Sequence, residues 1–175
     1  MTLCRTSVLC IVLLVQAAVA QDFTGYANKA GSRVDEFVHE DLNYRLDLGA
    51  AAYTYVDFSE QVPEASFAAI RFSPNAFSLV VVEDIGGGIT AEQYADIVQS
   101  AMEDKLDSEA NGEIRGHDDI GARDERGMRI FQKKIYAVVD AMPVTYVLTT
   151  YVDGLRAYQL LTFATGQPDE AIQAE

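Results

Sequence analysis

Between Val144 and Ala164 apolar residues fall on both faces of what reads as a single β-hairpin, and this constrains the fold more than any other feature of the chain. Asp153-Gly154 carries the signature of a two-residue type I′ turn, in which both central residues take φ above zero. Pairing residue 152 with 155 places Val144, Tyr146, Leu148, Leu155, Leu161 and Phe163 on one face, and Val147, Tyr158 and Leu160 on the other. A hairpin patterned this way is expected to be covered on both sides rather than half solvated.

Other β-rich runs surround it. Ser66 to Phe72 and Ala76 to Val82 are separated by Ser73-Pro74-Asn75, where Pro presets φ and Asn tolerates a left-handed backbone. They read as a second hairpin, whose almost wholly apolar second arm suits a central strand. Upstream, Leu42, Tyr44, Leu46 and Leu48 alternate with Asn43, Arg45 and Asp47, the period of a half-buried strand. Residues 113–121 and 126–139 form two more runs around Asp124-Glu125. One helix is expected over 90–107, because Thr90 and Gln93 form a capping box and Tyr94, Ile97, Val98, Ala101 and Leu106 recur near one stripe. The fold class is therefore α+β, a mostly antiparallel β-sheet packed against a few helices. It is expected as one domain over residues 33–175, preceded by a flexible lead at 21–32.

The first twenty residues read as a secretory signal peptide. Arg5 is followed by the apolar run Val8 to Val15 and by Ala18-Val19-Ala20, a small-x-small cleavage site. That run is far shorter than the ~20 apolar residues needed to cross a bilayer. Cys10 follows Val8-Leu9 and Cys4 precedes the run, so lipid attachment is not expected either. Cleavage after Ala20 removes both cysteines and leaves 155 residues with 12 basic and 27 acidic side chains, a charge of −15. Such a chain has no disulfide and must be stabilised by packing. A periplasmic or secreted location follows. An acidic excess of this size argues against nucleic-acid binding, which requires concentrated Lys and Arg to displace counterions, and the apolar content of 49% argues against disorder.

Few residues suggest chemistry. His39 and His117 are the only histidines. His39-Glu40-Asp41-Leu42-Asn43 lacks the final His of a zinc-protease helix, and His39 reads as a strand residue. His117-Asp118-Asp119, with Asp124-Glu125, is the best candidate for a hard cation, but alternation along a strand sends Asp118 and Asp119 to opposite faces. Gly86-Gly87-Gly88 precedes the helix without a Lys and after two acids, so it reads as a hinge or plain turn rather than a phosphate cradle. No catalytic, cofactor or metal residue is assigned. Two charge features stand out. The helix carries Glu92, Asp96, Glu103, Asp104, Asp107 and Glu109 against Lys105. Residues 115–134 gather Arg115, Arg123, Arg126, Arg129, Lys133 and Lys134 against four acids. Both read as solvated faces; for the helix the sharper alternative is a docking surface for a basic partner, and the 115–134 ribbon is a polarity against the overall charge.

Taken in order, Asn43-Tyr44-Arg45-Leu46-Asp47-Leu48, Glu64-Ala65-Ser66-Phe67-Ala68-Ala69, the strand ending in Glu83-Asp84, the helix opening Ile89-Thr90-Ala91-Glu92-Gln93-Tyr94 and the late Arg156-Ala157-Tyr158-Gln159-Leu160 resemble the PsbP/DcrB-like proteins. The resemblance spans about residues 40–170. It implies an antiparallel sheet packed between helices and an accessory role beside envelope or membrane complexes, with no shared catalytic residues. Members carry Pro and Trp after the first strand, where Leu48 to Tyr53 stands here, and they close with a helix, of which Pro168 to Glu175 resembles only the start. The function expected is a non-catalytic periplasmic interaction module with a protein partner in the envelope, no cofactor and no stable membrane insertion. A domain binding a small molecule or a divalent cation is the alternative.

Overall fold

The computed structural model describes residues 31–49, 52–59, 62–72, 75–109 and 112–165. The signal-peptide reading, most of the N-terminal lead, the Ser73-Pro74 turn and the closing Pro168 to Glu175 segment lie outside these residues. The described elements are β1 (Arg33–Val34), β2 (Glu36–His39), β3 (Tyr44–Asp47), β4 (Tyr53–Tyr55), β5 (Ala65–Phe72), β6 (Asn75–Asp84), α1 (Ala91–Glu109), β7 (Gly112–Glu125), β8 (Met128–Val139), β9 (Met142–Asp153) and β10 (Arg156–Thr165). Eight strands form one antiparallel sheet in the order β1-β4-β5-β6-β10-β9-β8-β7, and β2 pairs with β3 apart from it. The α+β class holds. Among the described residues one helix, rather than a few, packs on the sheet.

The two central strands, β6 and β10, are largely buried. β6 lies between β5 and β10, and β10 lies between β6 and β9, so neither has a free edge. The β9–β10 register differs from the sequence expectation. Asp153 pairs with Arg156, Thr150 with Gln159 and Tyr146 with Phe163, which moves the loop to Gly154-Leu155. Gly154 takes φ +57 as the first loop residue, and Leu155 is left 65% exposed at the tip. The slip is an even number of residues, so every other side chain keeps its expected face. Similarly, Asp124 and Glu125 belong to β7, and the turn lies at Arg126-Gly127, both at positive φ. That backbone twist suits a two-residue hairpin turn.

α1 begins where its cap dictates. The Thr90 hydroxyl accepts a hydrogen bond from the Gln93 backbone N–H at 3.2 Å, and the Gln93 side-chain carbonyl accepts one from Thr90 N–H at 2.9 Å. Ala91, Tyr94, Ala95, Val98, Met102 and Leu106 are buried on one side, while Ile97 is only partly covered. This stripe packs on β7, β8 and β9 and closes the main core with Leu79, Val81, Ile135, Tyr146, Leu148, Leu161 and Phe163. Gly112 permits the close approach of β7, since a Cβ there would lie 2.8 Å from the Val138 carbonyl and 3.0 Å from Leu106.

The opposite face is covered differently. The β2–β3 hairpin rests on Tyr53, Phe67, Ala69 and Val80, with Phe37, Tyr44, Leu46 and Leu48 turned inward. Phe37 and Phe67 stack at 4.6 Å between ring centroids, and Tyr44 hydrogen-bonds Ser66 at 2.9 Å. The alternation at 42–48 thus describes a strand of this small hairpin and not of the main sheet. Gly31 and Ser32 are also docked, through backbone hydrogen bonds to Tyr55. Four residues per strand make a hairpin only ~13 Å long and two strands wide, against an eight-stranded sheet ~34 Å across. Among the described residues the apolar packing of the hairpin therefore extends as far as Leu160 on β10. The expectation that the late hairpin is covered on both sides holds for its α1 face and only in part for the other, where Thr145, Val147 and Thr162 are buried whereas Thr149, Tyr151, Tyr158 and Leu160 stay partly exposed.

Candidate functional site: a half-covered cleft

Where the β2–β3 hairpin stops, a half-open cleft of about 1080 Å³ runs over the uncovered strands. Its floor is apolar and aromatic, made by Ile130, Val147, Tyr151, Tyr158 and Leu160. Leu46 and Leu48 of the hairpin line one side, and Ile120 of β7 and Met128 beside the β7–β8 turn line the other. Tyr158 is held between the two layers, for its hydroxyl donates to the Leu42 carbonyl at 3.2 Å and its ring lies 5.6 Å from that of Tyr151. Burial, the Asp153 charge and Tyr158 hold the Tyr151 hydroxyl above its ordinary pKa, so it stays a neutral donor.

The charges around the cleft oppose the charge of the whole chain. Among the described residues Arg45, Arg71, Arg123, Arg126 and Lys134 line it with Asp47 and Glu125, five cations to two carboxylates in a protein of net charge −14. Arg71 is 4% exposed, with its guanidinium 5.4 Å from the centre of the Tyr53 ring. Arg123 donates to Gln132 at 3.0 Å, and Gln132 donates in turn to Thr149 at 2.9 Å, which orients the arginine along the floor. Arg126 reaches Asp47 across the mouth at 3.8 Å. Both partners are more than half exposed, so this ion pair is weak and easily exchanged.

The basic 115–134 segment is thereby divided. Arg123, Arg126 and Lys134 line the cleft, Arg115 pairs with Glu113, Arg129 pairs with Asp124, and Lys133 turns to the other face beneath α1. Alternation separates Asp118 from Asp119 as expected: Asp118 accepts from the Tyr136 hydroxyl at 2.7 Å, and Asp119 faces Lys133 at 3.3 Å. Glu125 pairs with Arg123 at 3.2 Å, and no group of three or more His, Cys, Asp or Glu side chains able to hold a metal occurs among the described residues. His39 ends β2 and accepts a hydrogen bond from Leu42 N–H at 3.3 Å. His117 lies 3.2 Å from the Gln99 amide, and neither histidine lines the cleft. Gly86, Gly87 and Gly88 all take positive φ in the link to α1.

Lys133 ties the acidic helix to the sheet. Its side chain is 3% exposed, and Nζ lies 2.5 Å from Asp96, 3.0 Å from Gln99 and 3.3 Å from Asp119. Burial pulls its pKa down, but the hydrogen bond to Asp96 and the charges of Asp96 and Asp119 outweigh this and hold it above the ordinary lysine value. Asp96→Asn combined with Asp119→Asn leaves a buried ammonium with only a neutral acceptor and is expected to cost about 2 kcal/mol. The figure is below that for a fully buried pair because both carboxylates are more than half in water. Lys133→Met, which removes the buried charge and leaves hydrated carboxylates, is expected to cost less than ~1 kcal/mol. Urea titration of the variants checks the order; a costlier methionine would mean that the ammonium is itself hydrated.

No protein-family model and no curated protein matches the chain, so its function is read from this geometry. The cleft was not visible in the sequence as a site. Its one trace was the presence of apolar residues on the second face of the β9–β10 hairpin, near a basic segment.

Proposed function

We propose that the chain is an exported, non-catalytic accessory module that acts by binding, and that the half-covered cleft is its binding site. One observation carries the reading. An apolar floor with a few convergent polar groups, in a concavity of the size that takes small ligands, lies where the covering hairpin ends. Signal-like residues 1–20 support a periplasmic or secreted location, and the resemblance to PsbP/DcrB-like proteins supports an accessory role beside an envelope complex. Among the described residues no helix is long and apolar enough to cross a membrane. A divalent cation suits the cleft poorly, because five cations would repel it and two carboxylates would hold it.

The test is thermal denaturation of the purified chain with single-chain apolar probes of different head groups: dodecanol, dodecanoate and dodecyltrimethylammonium, each below its micelle concentration. A probe at a hundred times its Kd adds about 2.7 kcal/mol of stability, a shift of several degrees. At least one probe is expected to do so with 1:1 stoichiometry. Val147→Trp, which fills the floor, and Ile120→Glu, at a wall position 57% exposed that tolerates the change, are both expected to abolish the shift. A flat response to all probes, or shifts unchanged in both variants, overturns the proposal.

A further inference from the structure

We infer that the cleft selects single-chain amphiphiles with an anionic head, of the fatty-acid class; this rests on the binding reading above and names its ligand. A chain of net charge −14 repels anions at long range, so an anion can be held only where the protein concentrates cations. The cleft is such a place. Arg45, Arg123, Arg126 and Lys134 line it together with the apolar floor, so head and tail chemistry occur in one concavity.

The rim is built to exchange partners. The Arg126–Asp47 pair spans 3.8 Å with both side chains in water, and a ligand carboxylate replaces Asp47 there at little cost. Arg123 is positioned by Gln132 and paired with Glu125 through its other guanidinium nitrogens, which sets it as a fixed donor rather than a mobile one. Behind the rim, the Tyr151, Tyr158 and Leu160 surfaces receive the alkyl chain. Buried Arg71 also lines the cleft, beside the Tyr53 ring.

Isothermal titration with alkyl carboxylates of eight, ten and twelve carbons, with dodecyltrimethylammonium and with dodecanol, tests the class. Affinity for the carboxylates is expected to rise about threefold or more per added methylene, as burial of each CH₂ requires. Dodecanoate is expected to bind at least tenfold tighter than dodecyltrimethylammonium, with the preference shrinking as salt is raised. Arg123→Gln with Arg126→Gln is expected to remove most of that preference while leaving dodecanol binding in place. Arg129→Gln, at a pair with Asp124 outside the cleft, is expected to leave it intact.

Equal affinity for the three head groups, with binding still abolished by Val147→Trp, overturns the anionic assignment and leaves the binding reading standing. Absence of binding by every probe defeats both. Sedimentation with vesicles containing phosphatidylglycerol separates the sources of the anion. Uptake of monomers without vesicle association supports a carried amphiphile, whereas association with vesicles and no uptake of monomers overturns the inference in favour of surface docking.

Discussion

Raising the pH from about 9 to 12 is expected to unfold this protein in a steep cooperative transition, driven mainly by two buried tyrosines. Tyr94 is 1% exposed, and burial, the Glu83 charge and its hydrogen bond to Glu83 all push its hydroxyl far above the ordinary value of 10.0. Tyr146 is fully buried, and burial alone pushes its hydroxyl up strongly. Both groups keep their protons when folded and lose them near pH 10 when unfolded, so the stability they confer is complete below that pH and declines as pH rises above it. Each contributes a slope of about 1.4 kcal/mol per pH unit, together nearly 3 kcal/mol per unit. Net stabilities of single domains are about 5–15 kcal/mol, so two pH units remove a large part of the total. Tyr44, Tyr136, Tyr151 and Lys133 are also raised and act in the same direction.

Urea unfolding at a series of pH values, with tyrosinate absorbance followed in parallel, measures this. Tyr146→Phe sharpens the test, because among the described residues the buried Tyr146 hydroxyl has no hydrogen-bond partner. Its removal is expected to raise stability at pH 7 by about 1 kcal/mol and to lower the alkaline slope by one proton. Tyr94→Phe is expected to be costly at pH 7 instead, by about 1–2 kcal/mol, since its hydroxyl bridges Glu83 on β6 and Gln159 on β10. Titration of every tyrosine near pH 10 in a chain that remains folded would contradict the burial assigned to both.

The second large effect is a contrast between the two faces of β10. Phe163→Ala is expected to cost about 3–5 kcal/mol, because the ring is fully buried between Phe77 and Tyr146 in the core closed by α1, and deletion leaves a cavity that rigid strands cannot collapse. Leu160→Ala, three residues earlier on the cleft face, is expected to cost about 1 kcal/mol, since the side chain already meets water and borders an open space. Chemical denaturation of both variants checks the difference. Equal costs would mean that both faces of the hairpin are closed and that no cleft lies beside Leu160.

The elements that were legible are those set by neighbours in the chain. The Thr90-x-x-Gln93 cap placed the start of α1 because each of its hydrogen bonds closes within four residues. The opposite destinations of Asp118 and Asp119, like those of Tyr146 and Val147, followed from strand alternation alone. Register was less legible. Asp153-Gly154 carries the right residues for a turn, yet the loop forms one residue later, because the turn preference is weak beside ten cross-strand pairs that choose their own alignment. The even slip kept the faces correct while moving every pair.

The burial of Lys133 and the exposure of Tyr151 and Leu160 were not legible, since each depends on elements distant in the chain. Lys133 belongs to a basic segment and is buried only because α1 brings Asp96 and Gln99 over it. Periodicity says which side chains share a face, since it is a property of backbone geometry that each residue carries locally. How much of that face is covered depends on the length of a separate β2–β3 hairpin and on where it lands. Those are fixed only when the layers pack, and the cleft is the area that the hairpin is too short to reach.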